Sequence, residues 1–282
     1  MHDRFLILGS SGLVGSHVFR RLLAEGYDAV GASRHKTGDP WVHFDLLNPR
    51  THASALAGIT TVMLISRPGD EEAHLYAEPF ISSMVTAGVK RVADLSALGA
   101  TKRPEFSIRK VELLVETSGL EWTHVRPNFF MQVLARPPLS TEIATRRTLS
   151  LPLGSAKVAY VDARDVAATL FLALTDRALA GQAIELNGPE AVTHDEVVSR
   201  ISQRIRETVR YVDISEESTR ALLLARGFPA PLVERVLGFY ALCRQGFCSS
   251  PDTKVAQLLC RPLGSLDAFI EANLKSWQAT NG

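Results

Sequence analysis

Three glycines, Gly9, Gly12 and Gly15, recur at three-residue spacing near the start of the chain. They lie between an apolar run, Phe5 to Leu8, and an amphipathic stretch carrying Val14, Val18, Leu22 and Leu23. That order reads as a buried parallel strand, a tight turn and a helix, which together hold the pyrophosphate of a dinucleotide. Gly9 permits the turn, Gly12 lets the backbone approach the phosphates, and Gly15 lets the helix pack close to the strand. The backbone of Ser11, Leu13 and Val14 then meets the anion at the helix N-terminus.

The end of the second strand selects the dinucleotide. It reads Ala32-Ser33-Arg34-His35-Lys36. A hydroxyl and a guanidinium suit a 2′-phosphate, and the acidic residue that would hold a free ribose 2′-hydroxyl is missing. NADP(H) is expected ahead of NAD(H). Asp45, with Leu46 beside it, follows the third strand and either meets the adenine edge or shapes a turn. Ser66 and Arg67, at the end of the fourth strand, are expected along the middle of the cofactor.

The elements that position these residues alternate. Strands are predicted at Asp28–Arg34, Trp41–Leu46, Thr61–Ser66, Lys90–Leu95 and Glu121–Arg126. Helices are predicted at Pro49–Leu56, Asp70–Ala87 and Pro104–Ser118. Repeated βα units of this length imply an α/β fold with a Rossmann-type, doubly wound parallel sheet. Residues 135–160 read as irregular. A helix at Asp162–Thr175, a strand at Gln182–Asn187, a helix from Thr193 with a capping-box pattern, and a strand at Val209–Ile214 follow. From Glu216 onward the pattern is helical. The expected organisation is a dinucleotide-binding core over 1–135 with a returning segment near 156–190, and a smaller, mainly helical substrate lobe over 191–282.

Composition narrows the function classes. The chain has 282 residues, 46% hydrophobic and 22% charged, with a net charge of +1. This is an ordinary globular balance, with no charge excess calling for nucleic acid or an acidic membrane surface. No apolar run is long enough to span a bilayer, and the N-terminus is expected to enter a core strand without a leader. Cys243, Cys248 and Cys260 match no zinc spacing, no metal site is expected, and reduced thiols in a cytoplasmic protein are expected instead.

Several segments together resemble the NmrA-like group of atypical short-chain dehydrogenases/reductases. They are Gly9 to Gly15, Leu64 to Ser66, Gly88 to Arg91, Leu95 to Ala100, Lys110 to Leu120, Trp122 to Pro127 with Phe130 and Met131, and Tyr160 to Asp165. Asn187-Gly-Pro, Thr193 to Val197, the Thr253–Val255 segment, and Arg261-Pro262 with Ser265 to Phe269 are similar to the branch of ergot-alkaloid reductases. In the wider class a serine acts with Tyr-x-x-x-Lys, the tyrosine giving a proton to the substrate carbonyl. The resemblance maps the serine to Ser96, the lysine to Lys110 and the tyrosine to Phe106, which has no ionisable group. Either Lys110, desolvated beside the cofactor, is the general acid, or the substrate needs no strong acid, as with an iminium, quinone methide or activated alkene. Ser96 either bonds the substrate or the nicotinamide ribose, or satisfies a strand-end backbone group. Asn128 and Phe129 are placed where this class meets the nicotinamide carboxamide. Tyr160 is either a substitute donor or a packed aromatic, and His124 reads as a satisfied core histidine. Phe239, Tyr240 and Phe247 either wall an aromatic substrate pocket or belong to the core.

The resemblance implies an NADPH-dependent reductase of a small hydrophobic, polycyclic or quinone- or iminium-type metabolite of secondary metabolism, working as a monomer or homodimer. The alternatives are an NAD(P)-sensing regulatory protein of the NmrA type, which also lacks the tyrosine, and a non-redox enzyme on the same fold.

Overall fold

The computed structural model describes residues 3–66 and 70–278. The first apolar run is β1 (Arg4–Ile7), and the amphipathic stretch is α1 (Gly15–Ala24). Alternation continues through β2 (Asp28–Ser33), β3 (Trp41–His43), a short α2 (His52–Ala55) and β4 (Thr61–Ile65). Then come α3 (Ala73–Ala87), β5 (Arg91–Leu95), α4 (Ser107–Glu116) and β6 (Glu121–Pro127). The chain goes on through α5 (Leu139–Arg146), β7 (Thr148–Leu151), α6 (Ala163–Thr175), β8 (Gln182–Leu186), α7 (His194–Ile205) and β9 (Arg210–Asp213). It ends with α8 (Glu216–Ala225), α9 (Ala230–Arg244), α10 (Lys254–Leu258) and α11 (Leu266–Ala272).

Two compact units result. The first comprises the chain up to Pro127 together with Ala163–Leu186, and the second comprises Asn128–Asp162 and the chain from Asn187 onward. Residues 128–135, expected in the nucleotide core, thus lie in the second unit.

In the first unit, seven strands form one sheet in the order β3-β2-β1-β4-β5-β6-β8, with every pairing parallel. A parallel sheet is covered on both faces, which is why its strands read as continuous apolar runs. Leu6, Val62, Leu64 and Val92 pack with Phe80, Ile81 and Met84 of α3 and with Val111 and Val115 of α4. Burying each such aliphatic side chain stabilises the fold by roughly 1.5–3 kcal/mol. β1 lies between β2 and β4, so the strand order reverses at its carboxyl end, where open α/β sheets hold ligands. α6 is buried along most of its length, and its alanines (Ala163, Ala167, Ala168, Ala173) let it sit close to β4, β5 and β6.

The second unit has a core of Met131, Leu134, Ile143, Leu149, Val197, Ile201, Phe269 and Trp277. The indole N–H of Trp277 donates to the Leu134 carbonyl at 2.7 Å. α7 carries the expected capping box, Thr193 Oγ1 accepting from the Glu196 N–H at 3.2 Å and Glu196 Oε2 accepting from the Thr193 N–H at 2.7 Å.

Three expectations are corrected. Residues 135–160 are not irregular: they hold α5 and β7, and β7 pairs in parallel with β9, Thr148 opposite Arg210. The α4 helix begins at Ser107 rather than Pro104, because Phe106 is extended (φ −71°, ψ 139°) and only half enters the helix. Cys243 and Cys248 are not free thiols. Both are fully buried and form a disulfide with Cα atoms 5.0 Å apart, whereas Cys260 is free and exposed. They sit at the last turn of α9 and just beyond it, so the helix end folds them together. No helix among the described residues is long and apolar enough to cross a membrane.

Candidate functional site

The glycine turn has the geometry its spacing predicts. Gly9 has φ +63°, and its carbonyl accepts the Gly12 N–H at 2.7 Å. A Cβ on Gly15 would stand 2.3 Å from the Gly9 carbonyl oxygen and 3.0 Å from that of Leu8, so only glycine brings α1 this close to the end of β1. A Cβ on Gly12 would meet the Gly9 oxygen at 3.1 Å. The N–H groups of Ser11, Leu13, Val14 and Gly15 make no hydrogen bond among the described residues. Four clustered donors at a helix N-terminus are a cradle for phosphate oxygens.

Ser10, which the spacing does not single out, anchors this turn. Its hydroxyl donates to the Ala32 carbonyl at 3.1 Å, tying the turn to β2. Gly31 makes room beside it, since a Cβ there would lie 2.7 Å from the Trp41 ring and 2.9 Å from Ser10 Oγ. A glycine inside a strand signals such a close approach.

At the end of β2, Ser33 Oγ accepts the N–H groups of His35 (3.1 Å) and Lys36 (2.9 Å), which curls the loop. Its own proton remains available. Arg34 is exposed and makes no ion pair among the described residues, while Lys36 Nζ stands 4.1 Å over the Trp41 ring. Asp45 is a turn residue with one oxygen, accepting the Leu47 N–H at 3.2 Å. Leu46 offers its carbonyl to His52 Nε2 at 3.3 Å. Ser66, 4% exposed, has a hydroxyl with no hydrogen-bond partner. An orphaned buried hydroxyl at the end of β4 together with the glycine cradle fits the middle of a dinucleotide. Arg67 lies outside the described residues.

Ser96 does not bond a strand-end backbone group. It donates to Glu112 Oε1 at 2.5 Å, and Glu112 is fully buried. Arg126 binds Glu112 through two nitrogens at 2.7 and 2.8 Å, and Arg109 adds a third bond at 2.8 Å. Burial opposes the charge on Glu112, yet the bonds from Arg126 and Ser96, with His124 and Arg109 behind them, outweigh it and hold the carboxyl below its usual range. His124 is a core histidine, fully buried, with Nδ1 3.1 Å from Asp94 and its ring stacked on Trp122, but it is not the satisfied one expected, because its Nε2 has no hydrogen-bond partner. Burial pushes Asp94 up against that bond. Asp94, Glu112 and His124 present ligand atoms within 4.8 Å of one another, but two guanidiniums already neutralise Glu112. The sequence signal for this network is one charge on the apolar face of α4, and its partner Arg126 lies a strand away.

Lys110 is exposed, so this chain does not itself desolvate the lysine that a general-acid role requires. Its N–H bonds the Phe106 carbonyl at 3.1 Å. Phe106 is the N-cap of α4 rather than inside the helix, where the Pro104–Ser118 prediction puts it.

In the second unit, Asn128 is a structural clamp. Its Nδ2 donates to Asn187 Oδ1 at 2.7 Å and to the Cys248 carbonyl at 2.9 Å. Its Oδ1 accepts the Phe129 N–H at 2.8 Å, and the Phe129 carbonyl accepts the Val161 N–H at 2.8 Å. The Phe129 N–H is therefore spent internally, whereas its carbonyl keeps one lone pair for the carboxamide contact expected there. The Phe129 ring stacks 13° off parallel with Tyr240, with centroids 6.3 Å apart, and lies 4.9 Å from Phe239 and 6.0 Å from Tyr160. Phe129, Phe239, Tyr240 and Phe247 are half-buried and form one aromatic surface on the unit's core. Tyr160 is 3% exposed, with its hydroxyl 2.8 Å from His194 Nε2. Burial, reinforced by Tyr240 and Tyr211, pushes the phenol up, so it keeps its proton. Burial pulls His194 down to about 4.

Residues 1–247 match the sequence model of the NmrA-like family. The NAD(P)H azoreductase of Xenophilus azovorans is 30% identical, over 97% of this chain and 99% of its own. The agroclavine dehydrogenase of Claviceps fusiformis is 25% identical, over 96% and 98%. The crystal structure of the NADPH-dependent quinone oxidoreductase QOR2 of Escherichia coli with NADPH superposes with a TM-score of 0.83, at 20% identity over 95% of this chain and 99% of that one.

Proposed function

This chain belongs to the NmrA-like family, and from that premise we propose that it is an NADPH-dependent reductase of a small, flat, conjugated acceptor. The observation that carries the reading is the nucleotide cradle: the four open N–H groups of the turn, the space kept by Gly12 and Gly15, and the orphaned Ser66 hydroxyl. Arg34 and the Ser33 proton would take the 2′-phosphate. Bound NADPH supplies hydride. The chain binds the nucleotide, and the aromatic surface of Phe129, Phe239 and Tyr240 offers stacking to a flat apolar substrate. That an azoreductase and a clavine dehydrogenase are relatives supports conjugated nitrogen acceptors as the first substrates to try.

Phe106 cannot donate a proton, and Lys110 is exposed. An acceptor whose reduced atom is stabilised, or already protonated, needs neither. The same residue favours the second reading, a nucleotide sensor that performs no chemistry. Stopped-flow oxidation of bound NADPH by aryl azo compounds, quinones and iminium salts separates the two. Tight NADPH binding with no oxidation by any acceptor refutes the reductase. For the cofactor, Arg34→Ala is expected to weaken NADPH binding by about tenfold or more and leave NADH binding unchanged, since a charge-assisted bond contributes about 1.5–3 kcal/mol.

A further inference from the structure

A serine hydroxyl has one proton and two lone pairs. In this protein the proton of Ser96 is committed, because Glu112, held as a carboxylate by Arg126 and Arg109, can only accept. The direction of the 2.5 Å bond is thereby fixed. Ser96 is buried, 5% exposed, at the end of β5, on the carboxyl edge of the parallel sheet where open α/β folds hold their ligands. A hydroxyl that donates to an anion is also a stronger acceptor through its own oxygen. Among the remaining groups, Asp94 Oδ2 bonds His124 Nδ1 and Glu116 pairs with Arg109, while Asp94 Oδ1 and His124 Nε2 have no hydrogen-bond partner.

We propose that Ser96 meets the reducible group as a hydrogen-bond acceptor, with Glu112 as its positioning residue, so that the preferred substrate carries an N–H on the atom next to the one that takes hydride. This rests on the reductase reading above. It inverts the part a serine plays in carbonyl reduction, where it donates to an oxygen that gains negative charge. A ketone oxygen would face the lone pairs of Ser96, which are repulsive to it. An azo or imine nitrogen protonated from solvent before binding would instead give its N–H to Ser96. Hydride then adds to the neighbouring atom of the N=N or C=N bond, and the π pair moves onto the protonated nitrogen and neutralises it. The dihydronicotinamide, having lost hydride, keeps the positive charge, and no proton leaves the protein. Phe106 in place of a tyrosine is then no defect.

The experiment joins a spectrum to a kinetic cycle. The nucleotide-free protein is expected to show one slowly exchanging, low-field hydroxyl proton by NMR that is missing from Ser96→Ala. Ser96→Ala is expected to lower kcat/KM at least tenfold for a protonatable aryl azo compound or imine. The loss should be less than twofold for an N,N-dialkyl iminium, which has no N–H, and NADPH affinity should stay within twofold. Glu112→Gln is expected to cause no further loss of kcat/KM once Ser96 is alanine. Equal losses with both substrate types, or a further loss from Glu112→Gln in the Ser96→Ala background, overturn the assignment. Should Glu112→Gln fail to fold, the spectrum and the Ser96→Ala comparison decide alone. Absence of turnover by the wild type with every acceptor refutes the reductase reading itself, whereas turnover with equal losses refutes only the role of Ser96.

Discussion

The second unit should lose stability in mild acid through one residue. His194 is fully buried, and burial lowers its pKa from 6.5 to about 4. Its Nε2 is 2.8 Å from the Tyr160 hydroxyl, its ring stacks on Tyr211, and its Nδ1 has no partner. A depressed folded value means that the unfolded chain takes up the proton first. The stability from a neutral His194 is therefore full above pH 6.5 and is lost as the pH falls from there towards 4. Each unit of separation is worth about 1.4 kcal/mol, so about 2.5 kcal/mol should disappear between pH 7.5 and pH 4.5. The comparison is with His194→Gln, whose amide oxygen can still accept from Tyr160 but does not titrate. Urea unfolding is followed by the fluorescence of Trp277, with Trp41 and Trp122 changed to Phe so that only the second unit reports. The wild type should lose about 2.5 kcal/mol more than the variant over that range. Parallel pH profiles for the two proteins would show that His194 is not held neutral by burial.

Two further outcomes test the turn and the aromatic surface. Gly15→Ala puts a Cβ 2.3 Å from a backbone oxygen that has nowhere to go, whereas Gly12→Ala asks for an adjustment of a few tenths of an ångström at 3.1 Å. Scanning calorimetry should show Gly15→Ala melting roughly 6–12 °C below wild type, from about 3 kcal/mol of overpacking. Gly12→Ala should stay within about 4 °C while weakening NADPH in a fluorescence titration; the reverse order of melting would contradict the packing. Phe239→Ala removes a ring 4.9 Å from Phe129. It should raise KM for polycyclic acceptors by about two- to tenfold, and leave a small aliphatic acceptor unaffected, in steady-state assays.

Much of the first unit was legible because its signals are local. Phe5 to Leu8, the glycines and the α1 stripe fall within one βα unit, and each later strand is bounded by its own turn. What escaped was decided at a distance. Thr148 to Leu151 alternates as a half-buried strand should, but a strand this short is recognised by its partner, and that partner begins at Arg210. Glu112 sits on the apolar face of α4, and nothing near it in sequence announces that Arg126 and Ser96 will meet it. The N–H of Phe129 looked free for a ligand until Asn128 claimed it. Side-chain types told which chemistry was present, but hydrogen-bond direction, which decides whether Ser96 gives or takes, emerged only from the fold.

The order of segments in the two units constrains how this protein can be rebuilt. The chain leaves the nucleotide unit after Pro127, returns for α6 and the sheet's last strand, β8, and leaves again after Leu186. A cassette exchange at one junction would carry Phe239 and Tyr240 but leave Phe129 and Tyr160 behind, and would part β7 from β9. Truncation after Pro127 would strip β6 of its neighbour β8 and open a new sheet edge. New specificities in such a chain therefore arise by changing side chains in place or by grafting both segments at once, and half-grafts should aggregate rather than recombine.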